Sequence, residues 1–437
     1  MQPGIDGVNV LDIAMEQRHD GFVIRYATDN DDQGSVTVRY PALVVAPAEI
    51  LPELGLGVAV YLAQLCLARR VRLGFTVDEA AVDAIAPLAD MLYEIRRWKD
   101  DLPSGPGPTI NARAHRNAAP PPAPRQRQSL QLWSGGKDST LSTMLLGANG
   151  YDRAAVHFTV NAGVEPQELA AVTVLSKAAA VNVLRVEVTY PGFLEFSTRY
   201  AKNWNRPPLC NTVPFGRDML LCLLAVPVAL ATGSQYLSMG HDHECRTAYV
   251  EFGGRKVPRN DVESTEGALA LESYLTRFVY RGARLLPPVS GLSELCILRE
   301  MLTRHGDLMR MTSFCFWGDN CGQCAKCLRY YLAQRLLGVD ILVFRVNPLG
   351  VDGAPELHDI LGTGDGVLFQ EQVLYCLGRL VESGDVRADE VGLAEFAASE
   401  PYQATRSQLD TWERQLMTVH SDPQLPADWS YDLAPTS

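Results

Sequence analysis

The 437 residues suffice for roughly two or three domains with a substantial core, and a composition of 47% hydrophobic and 21% charged residues excludes a disordered or collagenous chain. With 39 basic and 51 acidic residues the net charge is −12, the wrong sign for a protein whose main partner is a nucleic-acid backbone. The longest apolar run, 219–231, is interrupted by Pro227 and falls short of the about 20 residues a bilayer requires. The opening MQPGIDGVNV lacks a basic stretch followed by an apolar one, so a cytoplasmic location is expected. In that reducing compartment, ten cysteines point to metal binding or burial before disulfides.

Residues 1–102 read as a small α+β unit. Segments 21–26 and 36–45 carry the Val, Ile, Thr and Tyr of half-buried strands. Segments 51–70 and 76–98 place apolar residues at helical spacing, the second opening on Thr76 as cap with Glu79 three residues later. The apolar stripe from Leu56 to Ala68 reads as core. Residues 103–128 hold seven prolines together with Arg113, Arg116, Arg125 and Arg127, which predicts a linker or strap of solvated charge.

From Ser129 the pattern changes to strands (129–133, 154–160, 183–190, 236–239) alternating with helices (139–146, 167–181, 217–230, 293–304). That alternation predicts an α/β unit over 129–340, a parallel sheet with crossover helices and a ligand at the carboxyl ends of the strands. Residues 341–437 read as a helical, loop-rich extension.

Directly after the strand at 129–133 stand Ser134, Gly135, Gly136, Lys137, Asp138, Ser139 and Thr140, opening a helix. Two glycines let the backbone turn tightly against a phosphate, and the free N–H groups and dipole of a helix N-terminus favour an anion. The three hydroxyls add donors, and Asp138 is either a helix cap or a Mg²⁺ ligand. A Walker A loop would need glycine at 131 and Ser or Thr at 138, where Gln131 and Asp138 stand. Arg217, at a helix start, offers a bidentate fork for phosphate or carboxylate, or an ordinary surface ion pair. Gly240, His241, Asp242, His243 and Glu244 form a loop readable as substrate contacts, as metal ligands or as solvated surface.

Cys315, Cys321, Cys324 and Cys327 follow the spacing C-x5-C-x2-C-x2-C. Four thiolates close a tetrahedral Zn²⁺ site with no open position, hence a structural one. An iron–sulfur cluster is the competing reading, weakened because Tyr331 stands where the next ligand of that run would be. Cys66, Cys210, Cys222, Cys245, Cys296 and Cys376 are scattered and read as core or surface residues.

The loop resembles the SGGxDS signature of the PP-loop ATP pyrophosphatases. Followed by TSFCFWG at 312–318 and CGQCAKCLR at 321–329, it resembles the 7-cyano-7-deazaguanine synthase (QueC) family over about residues 129–337. Val213, Pro214, Phe215, Gly216, Arg217 and Asp218 are similar to that family's VPxRN stretch, and Gly240 to Glu244 to its GxNxED loop. The departures are an extra residue between Pro214 and Arg217, Asp218 in place of Asn, Cys245 in place of an acid, and no Gln-Arg-His after the second strand. The resemblance implies an adenine-nucleotide-hydrolase-like (HUP) fold with a zinc module at 315–329, and ATP, Mg²⁺ and Zn²⁺ as cofactors. It places Lys137, Asp138 and Arg217 in catalysis, the 134–140 loop on ATP, and Gly240, His241, Asp242 and Glu244 on substrate.

The implied chemistry is attack of a 7-deazaguanine carboxylate on the α-phosphate of ATP, so that AMP becomes a leaving group that an amine displaces. Extended members of the family resemble components of bacterial anti-phage systems, which implies a protein amino group as acceptor. An ordinary nitrile-forming synthase, a tRNA-thiolating PP-loop enzyme and a nucleotide-binding scaffold remain the alternatives. The acidic net charge and the four-cysteine spacing count against the thiolase, and the intact 134–139 loop against the scaffold.

Overall fold

The computed structural model describes residues 7–114, 125–160, 166–190, 217–315, 320–353 and 369–433. Val213 to Gly216, Cys210, Arg116 and the Phe316, Trp317 and Gly318 of TSFCFWG lie outside them.

The N-terminal portion contains β1 (Val10–Arg18), β2 (Gly21–Thr28), β3 (Gln33–Arg39), α1 (Leu51–Cys66), β4 (Arg70–Val77), α2 (Glu79–Lys99) and β5 (Thr109–Ala114). The α/β portion follows with β6 (Arg125–Leu132), α3 (Lys137–Ala148), β7 (Asp152–Val160), α4 (Pro166–Ala178), β8 (Val183–Thr189), α5 (Arg217–Thr232), β9 (Ser234–Ser238) and α6 (His243–Thr247). A two-stranded hairpin, β10 (Tyr249–Phe252) and β11 (Arg255–Pro258), leads to α7 (Thr265–Tyr274), β12 (Arg284–Leu286), α8 (Glu294–Arg304), α9 (Gly306–Met311) and α10 (Ala325–Leu336). Beyond residue 340 come α11 (Gln370–Glu382), α12 (Val391–Ala397), α13 (Glu400–Arg406) and α14 (Leu409–Met417).

Ten strands form one sheet in the order β12-β9-β6-β7-β8-β3-β2-β1-β4-β5, parallel except at the β8/β3, β3/β2 and β2/β1 ladders. The expected α/β class, with a mostly parallel sheet and flanking helices, is therefore present. The N-terminal strands, expected as a separate small unit, extend the same sheet. Thr37, Val38 and Arg39 of β3 pair antiparallel with Thr189, Val188 and Glu187 of β8, covering an edge that β8 would otherwise present. Helix α1 is buried nearly all round; Gly57 faces Leu223 of α5, where an added Cβ would approach to 2.8 Å. The Tyr40 hydroxyl donates to the carbonyl of Leu224, and that of Tyr274 to the carbonyl of Glu53, across the same junction.

Local differences have local causes. The first helix ends at Cys66, where Leu67 turns left-handed (φ 48°), and the next residues form β4 with alternating burial rather than more helix. Asp78 caps α2 by accepting from the Ala80 N–H, so Thr76, the expected cap, lies in β4. The chain leaves β3 at Arg39, and Leu43 and Val45 of the expected strand stand exposed. The stretch read as linker supplies β5 and the start of β6.

The C-terminal segment wraps back over the α/β portion. Arg246 of α6, fully buried, bonds Asp422 and Gln424; Gly291 donates its N–H to the Tyr431 hydroxyl; His420 stacks on His243 at 3.7 Å. No helix among the described residues is long and apolar enough to cross a membrane.

Candidate functional site

The site lies where the sheet's carboxyl ends meet α3, α5, α8 and α10. Gly135 adopts φ +76°, a left-handed turn in which a side chain is strained, and its missing Cβ leaves room for Ala171 and Val172 of α4. Gly136 caps α3, and its carbonyl accepts from the hydroxyls of Ser139 (3.2 Å) and Thr140 (2.8 Å). Asp138 is therefore not the cap: it stands in the first turn and its carboxylate meets the Lys137 ammonium at 2.5 Å. The N-terminus of α3, with its first N–H groups outside the helix's own bonding pattern, favours an anion.

Two other segments lock onto this turn. Ser313, two residues before the first cluster cysteine, donates its N–H to the Gly135 carbonyl at 2.9 Å. Gly240 packs so tightly on Asp138 and Ser139 that a Cβ there would come within 2.8 Å of backbone atoms. The 134–140, 240–244 and 312–315 segments, far apart in sequence, thus meet in one place.

The electrostatics centre on a buried cation–anion chain. Lys137 is 1% exposed; its Nζ lies 3.4 Å from Glu294 Oε1 and 5.6 Å from the centre of the Tyr330 ring. Glu294, 2% exposed, receives the Arg329 Nε–H at 2.6 Å, and Arg329 stacks on Phe369. Burial raises the Glu294 carboxyl, but Arg329 and Lys137 outweigh it and hold the group below its ordinary range. Burial likewise opposes charge on Lys137, yet Asp138, Tyr330, Glu294 and Asp242 keep its amine above the usual value. Burial lowers the Lys326 amine, and the charges of Arg329, Lys137 and Arg217 lower it further. Lys137, Arg329 and Lys326 thus gather their positive charge beside the turn, a field suited to a polyanion.

Opposite them sit acids. Asp242 caps α6 by accepting the Cys245 N–H at 2.8 Å, and burial plus the repulsion of Asp138 pushes its carboxyl up to about 6. Asp242 with the Asp138 charge bearing on it, beside an anion cradle, suits a bound divalent cation. Glu244 accepts the first N–H of α8, from Glu294, at 3.0 Å; His243 stacks on His420 instead of facing the turn. His241 turns away to Asp218, Nε2 to Oδ2 3.0 Å, and with Glu263 these place one donor atom each within 4.8 Å of the others. Arg217 is about half exposed, its Nε 3.4 Å from Asp218.

The four cluster cysteines converge as their spacing predicts. All four sulfurs lie within 4.8 Å of one another, with Cys315–Cys324 at 4.0 Å and Cys321–Cys327 at 3.9 Å. A Zn–S bond of about 2.3 Å sets tetrahedral sulfur–sulfur edges of about 3.8 Å, so this cluster fits zinc. Gly322 makes the turn possible: it is left-handed (φ +79°), and an added Cβ would strike the Val346 carbonyl. Cys66, Cys222, Cys296 and Cys376 are buried and Cys245 half-buried, in agreement with core or surface placement.

Glu294, Lys326, Tyr330, Asp261 and Glu263 were not singled out from sequence. Lys326 carries a retrospective signal: it is one of only six lysines in the chain, and it lies between two cluster cysteines. No protein-family model matches this chain, and no curated protein matches it either.

Proposed function

We propose that the protein is an ATP-dependent adenylating ligase of the 7-cyano-7-deazaguanine synthase type, a PP-loop enzyme that joins a 7-deazaguanine carboxylate to an amine. The observation that carries this reading is the convergence of the three segments bearing the resemblance: Ser313 on Gly135, and Gly240 on Asp138 and Ser139. Such a reaction needs a cradle for pyrophosphate, an electrostatic sink for charge developing on it, and a neighbouring pocket for the acid.

In this reading the α3 N-terminus and the hydroxyls of Ser134, Ser139 and Thr140 hold the β- and γ-phosphates. Lys137 and Lys326 face them, while Arg217 orients the acid or the α-phosphate. A carboxylate oxygen attacks the α-phosphorus, the bond to the β-phosphate oxygen breaks, and pyrophosphate leaves. An amine then adds to the acyl carbon, loses a proton and expels AMP, leaving an amide. Asp138 and Asp242 are the residues to hold Mg²⁺, which neutralises phosphate charge when bound. Zinc in the four-cysteine site would keep the 312–315 segment and α10 seated against the turn.

The acceptor in this proposal is the amino group of a protein partner, perpetuating the anti-phage role that the resemblance implies. The test is product analysis with 7-carboxy-7-deazaguanine: AMP and pyrophosphate are expected, with at least a hundredfold loss in Asp138→Ala. Finding ADP and phosphate overturns the assignment. Intact mass spectrometry of proteins encoded beside this one, co-expressed with parent or Asp138→Ala, then identifies the acceptor. If no neighbour gains mass and ammonia yields free nitrile, the ordinary synthase replaces the protein-modifying reading.

A further inference from the structure

Outside the nucleotide turn, a second group of ligating side chains is buried against the loop that packs on it. Asp218 stands in the first turn of α5, His241 in the loop after β9, and Glu263 just before α7, on three separate elements. One donor atom from each lies within 4.8 Å of the other two, and the Asp218–His241 pair is at 3.0 Å. Ligands in neighbouring positions on an ion bound at about 2.1 Å stand about 3.0–3.4 Å apart, so the Asp218–His241 pair already has ligand spacing.

Exposed acids cluster without consequence, but these are not exposed. His241 is 6% exposed, and the side chain of Asp218 is 18% exposed. Asp261, 4% exposed, bears electrostatically on both Asp218 and Glu263, and its Oδ2 is buried with no hydrogen-bond partner among the described residues. A third carboxylate oxygen left unsatisfied beside two others is an arrangement that a cation resolves.

We infer that Asp218, His241 and Glu263 form a second metal site, distinct from the four-cysteine cluster, for a divalent first-row ion of the Mn²⁺ or Zn²⁺ kind. The imidazole is a borderline nitrogen donor, which disfavours Mg²⁺ and Ca²⁺; the two carboxylates are hard donors that Mn²⁺ and Zn²⁺ also accept, and soft thiolates are absent from the set. Bound there, the ion ties α5 and the approach to α7 to residue 241. Its neighbour Gly240 packs on the nucleotide turn, so the ion fixes the loop that faces substrate.

Mn²⁺ is the probe, because it does not compete for the thiolate cluster. Zinc-loaded protein without nucleotide is titrated with Mn²⁺ and free Mn²⁺ is read by electron paramagnetic resonance. The parent and Asp138→Ala should each retain one Mn²⁺ per chain, and Glu263→Gln and His241→Ala should bind at least tenfold more weakly. Mn²⁺ should also raise the thermal midpoint of the parent and not that of Glu263→Gln, which keeps a side chain of the same shape and reports on folding. A parent that retains no Mn²⁺ overturns the inference. So does Mn²⁺ lost in Asp138→Ala but kept in Glu263→Gln, which would assign the ion to the nucleotide turn.

Discussion

Replacing Glu294 by Gln tests the buried charge chain behind the 134–140 turn. The carboxylate is the shared anion of two cations, Arg329 at 2.6 Å and Lys137 at 3.4 Å, and is 2% exposed. Glutamine keeps the shape and one acceptor but removes the charge, leaving two buried cations facing an amide. Breaking a buried pair in this way costs about 3–5 kcal/mol. Lys137 retains Asp138 at 2.5 Å, which places the loss near the lower end, about 3 kcal/mol. Urea melts should show a lower midpoint with an unchanged slope, since the exposed surface is the same. The same substitution should strengthen binding of inorganic pyrophosphate, because Arg329 and Lys137 no longer share the Glu294 carboxylate. At one hundred times its dissociation constant a ligand returns about 2.7 kcal/mol, so saturating pyrophosphate should restore most of the lost stability. A variant as stable as the parent that binds pyrophosphate no better would refute the role of Glu294 as counterion.

Elemental analysis should find one zinc in the four-cysteine site and no iron, and Cys324→Ser should lose it. Because Cys324 is also the residue from which α10 starts, that loss should weaken pyrophosphate binding through displaced Lys326 and Arg329; a zinc-free variant binding normally would contradict this. Glu390, fully buried, accepts from Tyr331 and Arg335 at 2.7 Å each; although burial raises its carboxyl, those bonds hold it below its ordinary value. A depressed carboxyl gives stability that is complete above the unfolded value of 4.5 and is lost as pH falls through the folded one. Glu390→Gln should therefore cost about 3 kcal/mol at pH 7, and the gap to the parent in urea melts should shrink progressively below pH 4.5; a gap independent of pH would refute it.

What could be read in advance was what the chain writes locally. The 134–140 turn and the four cysteines depend on spacing within a few residues. Helix α1 hid its own end, because a helix buried on every side has no polar stripe whose disappearance marks the boundary; the segment expected as helix runs on to residue 70, and most of β4 behind it carried no expectation. The junction of β3 with β8 pairs residues about 150 positions apart, and neither strand carries a mark of its partner. Asp218 and Glu263 are 45 residues apart and meet only through the tertiary fold (263 − 218). Glu294 likewise carries no local signal: its task is set by Lys137 and Arg329, which other helices bring to it.

The antiparallel seam between β3 and β8 also sets a schedule for biosynthesis. Strand β3 is complete at Arg39, whereas β8 begins only at Val183, 144 residues later (183 − 39). At ribosomal rates of about 5–20 residues per second, the nascent N-terminal strands wait on the order of 10 s with that edge open. During this interval β3 offers its backbone to any neighbouring chain, and Arg39 at its end is the charged side chain discouraging such pairing. Crowded polysomes should therefore be where this protein is most prone to associate wrongly, and a chain cut before β8 should carry the same hazard permanently.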